Sequence, residues 1–176
     1  MFTRTGTTWS RQAYVKASNP TVNAGFGVSI ALLGDTLAVG AYGARSDIMN
    51  MAIAEGGAYV FARAGTAWSQ QAFVRPAQPQ PGATFGRSVA LAENTLVVGS
   101  DNESGSSKGI DGDQAAQSAG QAGAAFVFTR TGTSWSQRHY LKATNPRADA
   151  RFGISVATSK DTVVVGSLAE SSKAMA

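Results

Sequence analysis

The sequence predicts an all-β chain built from repeated four-stranded units. Two observations carry this: three sets of anchor residues at fixed spacing, and an alternation of bulky and small residues within each copy. Phe26, Phe85 and Phe152, each followed by glycine, stand 17 residues after Trp9, Trp68 and Trp135 and 14 residues before Gly40, Gly99 and Gly166. The tryptophans lie 59 residues apart in the first interval and 67 in the second, so an insertion of eight falls between Gly99 and Phe126, in a loop.

Each element follows from the alternation. In the first strand Phe26, Val28, Ile30 and Leu32 point one way while Gly27, Ser29 and Ala31 point the other. Phe85, Arg87, Val89 and Leu91, then Phe152, Ile154 and Val156, repeat the scheme with one charged substitution. Gly34-Asp35, Glu93-Asn94 and Lys160-Asp161 occupy a tight hairpin turn, with Asn and Asp expected to absorb positive φ. A second strand follows at 36–40, 95–99 and 162–166. The third reads GAYVFAR or AAFVFTR, turns at Gly65 or Gly132, and leads into a fourth that opens on Trp68 or Trp135. The linkers to the next Phe-Gly carry Pro20, Pro76, Pro79, Pro81 and Pro146, and proline cannot join a ladder, so they are crossovers and not fifth strands.

Four antiparallel strands joined by hairpins and followed by a crossover describe a blade of a β-propeller. A sandwich or an open solenoid can use the same strands. Apolar or small residues on both faces of each strand favour blades stacked on two sides. The chain then holds two full blades, 25–76 and 84–143, and two half-blades, 1–17 and 151–168. It is expected to form a partial propeller, or one assembled by oligomerisation. The C-terminal hairpin can pair with the N-terminal hairpin of a second copy, head to tail, to give six blades. Alternatively the missing blades belong to a longer chain, which the start in mid-strand at Met1 favours.

These residues resemble the FG-GAP repeat, the blade of integrin-α-like β-propellers, and above all its bacterial form. Phe26-Gly27, Phe85-Gly86 and Phe152-Gly153 supply the FG. Gly40-Ala41, Gly99-Ser100 and Gly166-Ser167 stand where GAP would be, with Tyr42, Asp101 and Leu168 in place of proline. The resemblance implies extracellular recognition or adhesion, with a protein or glycan at a cell surface as partner. It does not carry over the family's calcium loop between the first two strands, because that link has shrunk to a two-residue turn with one acid each at Asp35, Glu93 and Asp161.

No constellation of catalytic residues emerges. His139 is the single histidine and stands where the other copies have Ala13 and Ala72, as a solvated strand residue would. The serines of FGVSIA and FGRSVA lack the second glycine of a nucleophile elbow and recur without a histidine, so packing explains them better. Glycine-rich GGAYV has neither the lysine nor the strand-to-helix context of a phosphate loop. The long loop at 100–123 holds Asp101, Glu103, Asp111 and Asp113. Of these Asp111, Asp113 and Asp101 are the candidate metal ligands, with calcium the cation and a plain polar loop the competing reading. The shorter equivalent has Asp47, Glu55 and an apolar run at 48–54 suited to a short helix or an edge cover.

Composition narrows the rest. Of 176 residues 43% are hydrophobic and only 15% charged, with 20 glycines, which suits strands and turns. The formal charge of +4 is spread over equivalent places, Arg4, Arg63 and Arg130 or Lys16, Arg75 and Lys142, so no basic patch suggests nucleic acid. There is no cysteine, and no apolar run approaches a membrane span. The basic start is not followed by an apolar stretch, so any export signal would lie outside this segment. The leading expectation is a non-enzymatic module that presents loops to a protein or glycan; the other is a structural scaffold without a ligand of its own.

Overall fold

A computed structural model describes residues 1–45 and 54–170. Twelve strands form in the described residues: β1 (Phe2–Thr5), β2 (Thr8–Arg11), β3 (Ser29–Leu33), β4 (Thr36–Ala41), β5 (Gly57–Ala64), β6 (Ala67–Val74), β7 (Ser88–Ala92), β8 (Thr95–Ser100), β9 (Ala124–Thr131), β10 (Ser134–Leu141), β11 (Ser155–Ser159) and β12 (Thr162–Gly166). They make two four-stranded antiparallel sheets, β3-β4-β5-β6 and β7-β8-β9-β10, flanked by the hairpins β1-β2 and β11-β12. These are propeller blades in sequence order, and they do not close into a ring. The proposed helix or edge cover at 48–54 lies, apart from Ala54, outside the described residues.

The inner hairpins take the register the repeat demands. Leu33 pairs with Thr36, Ala92 with Thr95 and Ser159 with Thr162, leaving two-residue turns. Positive φ falls on the first turn residue, Gly34, Glu93 or Lys160, and not on the Asp or Asn behind it. Those second residues do something else. Arg63 donates from Nε to Asp35 Oδ1 at 2.7 Å, and Arg130 donates from Nε to Asn94 Oδ1 at 3.1 Å. The arginine of the third strand thus clasps the first turn, and its guanidinium lies over Trp68 or Trp135 of the fourth.

Burial follows neighbours more than composition. β8 is buried almost throughout because sheets cover both its faces, and β4 because the second blade covers one face while Phe26 and the N-terminal residues Met1, Val15 and Ala17 pack on the other. β11 and β12, by contrast, largely alternate exposed and half-buried residues. The main core lies between the blades. Ala38, Ala58 and Val60 of the first pack against Phe85, Val89, Leu96, Val98, Phe126 and Phe128 of the second. Small residues on one blade facing large ones on the next let the sheets approach while filling space. Edge-to-face aromatic clusters, Phe26 with Tyr59 and Phe61 and Phe85 with Phe126 and Phe128, pin each Phe-Gly corner onto its own third strand.

Candidate functional site

The recurring serine is a joint between blades. Ser29 donates from Oγ to the carbonyl of Gly86 at 2.9 Å, and Ser88 does the same to Gly153 at 2.8 Å. The accepting glycines belong to the Phe-Gly pair of the following blade and hold φ near +90° (93° and 91°), a region open to glycine. Opposite each serine, a Cβ on Gly40 or Gly99 would overlap that same carbonyl oxygen. Serine, strand-ending glycine and Phe-Gly therefore form one device, whose hydroxyl is spent on structure. Two further bonds repeat at the rim: Trp68 Nε1 donates to Gln12 Oε1 and Trp135 Nε1 to Gln71 Oε1, at 3.2 and 3.1 Å.

The insertion loop at 101–123 is the feature that sets one blade apart. Leaving β8, it crosses the sheet end and lays Ile110 against Leu141 as an antiparallel bridge on the outer edge of β10. Asp111 donates its N–H to the Tyr140 carbonyl at 2.8 Å, and Lys142 donates its own to the Gly109 carbonyl at 2.8 Å. The loop so covers a strand edge that would otherwise be free to pair.

Its base is held by a buried polar network. Glu103 and Lys142 have side chains only 2% and 1% exposed, with Nζ 2.7 Å from Oε2. Glu103 Oε1 accepts from Gln80 Nε2 at 2.7 Å, from the Gly105 N–H at 2.9 Å and from the Tyr140 hydroxyl at 3.0 Å, while Lys142 also donates to the Gly123 carbonyl at 2.6 Å. Burial pushes the Lys142 ammonium below the usual lysine range, opposed by the Glu103 carboxylate. Burial, and then that carboxylate, push the Tyr140 hydroxyl up, so it stays a neutral donor. The charge is fully paired, as a buried ion requires. The first blade makes a more exposed version, Arg75 Nη1 to Glu55 Oε2 at 3.0 Å.

The three predicted ligands occupy different places. Asp101 is buried, and its Oδ1 accepts from the Thr84 hydroxyl at 2.6 Å, which holds Thr84 at φ +64° just before Phe85. Asp113 is exposed and accepts from the Ala115 N–H. Asp111 reaches His139 Nδ1 at 2.8 Å through Oδ2 and accepts the Tyr140 N–H through Oδ1. Among the described residues no group of three or more His, Cys, Asp or Glu side chains is placed to hold a metal ion. His139 is an exposed strand residue, as expected, but it has an acidic partner that its sequence context does not reveal.

The Asp111 contact has a pH signature. Its hydrogen bond to His139, with that to the Tyr140 N–H, holds the carboxyl below its usual range. The folded-state value is thus below the unfolded one, so the stabilisation is complete above the ordinary carboxylate range and is lost as pH falls through the folded value. The difference in unfolding free energy between the protein and Asp111→Asn, from urea titrations, is expected to be largest near neutrality and to shrink below about pH 4.

Sequence reasoning placed the loop but missed Glu103, Gln80 and Tyr140 as a unit. Lys142 was the available signal: a basic residue ending a fourth strand, equivalent to Arg75, needs a carboxylate once its blade is covered. No helix among the described residues is long and apolar enough to cross a membrane. No curated protein sequence matches the chain. The profile of the FG-GAP repeat matches it three times, over residues 9–61, 68–128 and 135–175. These spans hold Ser29, Ser88 and Ser155 with Gly40, Gly99 and Gly166 in register, and the chain belongs to the FG-GAP repeat family.

Proposed function

We propose that the chain is a non-enzymatic recognition module outside the cell, whose insertion loop at 101–123 presents a surface to a protein or glycan. The observation that carries this reading is the anchoring of that loop by Glu103, Lys142, Gln80 and Tyr140. A loop fixed at its base offers its exposed residues, Lys108, Asp113, Gln117 and Ser118 among them, at a small entropic cost on binding. The FG-GAP repeat family is typically non-enzymatic and typical of extracellular proteins, which agrees with this use.

The test is an array of glycans and extracellular proteins probed with the chain, followed by titration of each binder against Lys108→Glu and Asp113→Lys. Both residues are exposed, and the one bond lost, from the Ala115 N–H to Asp113, lies at the loop surface, so neither change should unfold the blades. An affinity loss of about tenfold or more is expected from at least one of them. A binder indifferent to both would place recognition elsewhere on the blades. Arrays without any binder would favour the scaffold reading.

A further inference from the structure

We propose that a second copy of this chain docks head to tail, its hairpin β11-β12 completing a blade with β1-β2 of the first. This goes beyond the recognition reading and does not depend on it. The two internal joints are the template, since the same heterologous contact already occurs twice within one chain.

The donor side of each joint is a serine, small residues on the first two strands, and the strand-ending glycine. On β11-β12 the equivalents are Ser155, Ala157, Val164 and Gly166. Ser155, Ala157 and Val164 are exposed, with Val164 at 60% where its counterpart Ala38 is at 0%. The three atoms nearest a Cβ on Gly166 all belong to Ser155 of its own hairpin, whereas those on Gly40 and Gly99 would strike the next blade. The donor face is formed and unoccupied.

The receiving side is a Phe-Gly corner and the bulky residues of the first strand. Gly27 holds φ +95°, matching Gly86 and Gly153, yet a Cβ on it would meet nothing within 4 Å. Ile30 is 64% exposed where its counterpart Val89 is 8%. An apolar groove of about 400 Å³ runs along this face, lined by Met1, Phe2, Phe26, Ile30 and Leu32 among others. On the template of the two internal joints, Ser155 Oγ of the second copy donates to the Gly27 carbonyl of the first.

Register and charge point to the same partner. In the first blade Thr36 pairs with Ala62 and Leu37 with Phe61. Carried along the repeat, those pairs become Thr162 with Thr3 and Val163 with Phe2 between copies. The clasp of Arg63 on Asp35 becomes Arg4 of one copy on Asp161 of the other, and both are exposed. One tie of the internal joints is absent. Arg138 stands where Gln12 and Gln71 accept the tryptophan N–H, so the joint between copies is the weaker one and dissociates on dilution.

Light scattering on the 176-residue chain across a concentration series should show a particle of twice the chain mass giving way to single chains on dilution. Val164→Glu and Ile30→Glu, both at exposed positions, should each lower its formation constant at least tenfold while leaving the single chain folded by circular dichroism. The chain has no cysteine, so equal amounts of Thr3→Cys and Thr162→Cys chains, mixed and oxidised, should give a reducible covalent pair that neither gives alone. A single-chain mass at every concentration, association untouched by both glutamates, or a covalent pair from Thr3→Cys alone would overturn the proposal.

Discussion

Lys142→Ala is expected to destabilise the protein by about 3–5 kcal/mol, the usual cost of removing one partner from a buried ion pair. The lysine is the cationic partner of Glu103, whose other donors are neutral: Gln80, the Gly105 N–H and the Tyr140 hydroxyl. Without Nζ the carboxylate stays buried and uncompensated, and the Gly123 carbonyl loses its donor as well. Against a total stability of about 5–15 kcal/mol this is a large fraction. The double variant Glu103→Gln/Lys142→Met keeps the volume, removes both charges and should recover most of the loss, because the penalty belongs to the unpaired charge. Urea unfolding of the two variants checks this. A cost for Lys142→Ala within the range of a surface pair, below about 1 kcal/mol, would contradict the buried network.

Gly99→Ala is the second change expected to matter. A Cβ there would overlap the Gly153 carbonyl oxygen and the Ser88 hydroxyl. The first is backbone of the next blade and cannot swing aside, so the hairpin β11-β12 must move away from β7 and β8. Overpacking of this kind costs about 1–3 kcal/mol. The bond from Ser88 to Gly153 goes with it, worth about 1 kcal/mol more. An isolated two-stranded hairpin is marginal in water, so β11-β12 should lose its amide protection before the rest of the chain. Gly120→Ala is the control, since a Cβ there meets nothing within 4 Å and its φ is unstrained. Hydrogen exchange of residues 155–166 in both variants reads the result, and equal protection would remove the joint from the account.

The blades were legible because their signals are local. Alternation, turn dipeptides and fixed spacing each act over a few residues, and the second, third and fourth strands of the full blades begin and end within a residue of where those signals put them. The first strand starts three residues later than its alternation suggests, at Ser29, Ser88 and Ser155, because the Phe-Gly pair before it is a corner with glycine φ near +90°. The purpose of the serine was half legible. Its recurrence without histidine excluded a nucleophile, but only the spatial neighbour, the glycine of the next Phe-Gly, explains why it is serine and not alanine. The turn chemistry was misplaced by one residue: positive φ fell on Glu93 and Lys160, leaving Asn94 free to receive Arg130. Of the network around Glu103 only Lys142 left a signal in the sequence. Its four side chains come from a crossover, an insertion, the end of β10 and the residue just past it, and no periodicity ties such places together.

The clasp of arginine on the first turn separates the two rims of each blade. One rim carries two-residue turns held by Arg63 and Arg130; the other carries the crossovers and both long connections. Length can therefore change on one rim without disturbing the other. Beyond the Glu103 anchor, the exposed tip at Gln117 and Ser118 is tethered at both ends by bonds that do not involve it. A scaffold built this way suits grafting: a foreign peptide spliced into that tip would inherit a fixed orientation, while the blade beneath it kept every joint it has.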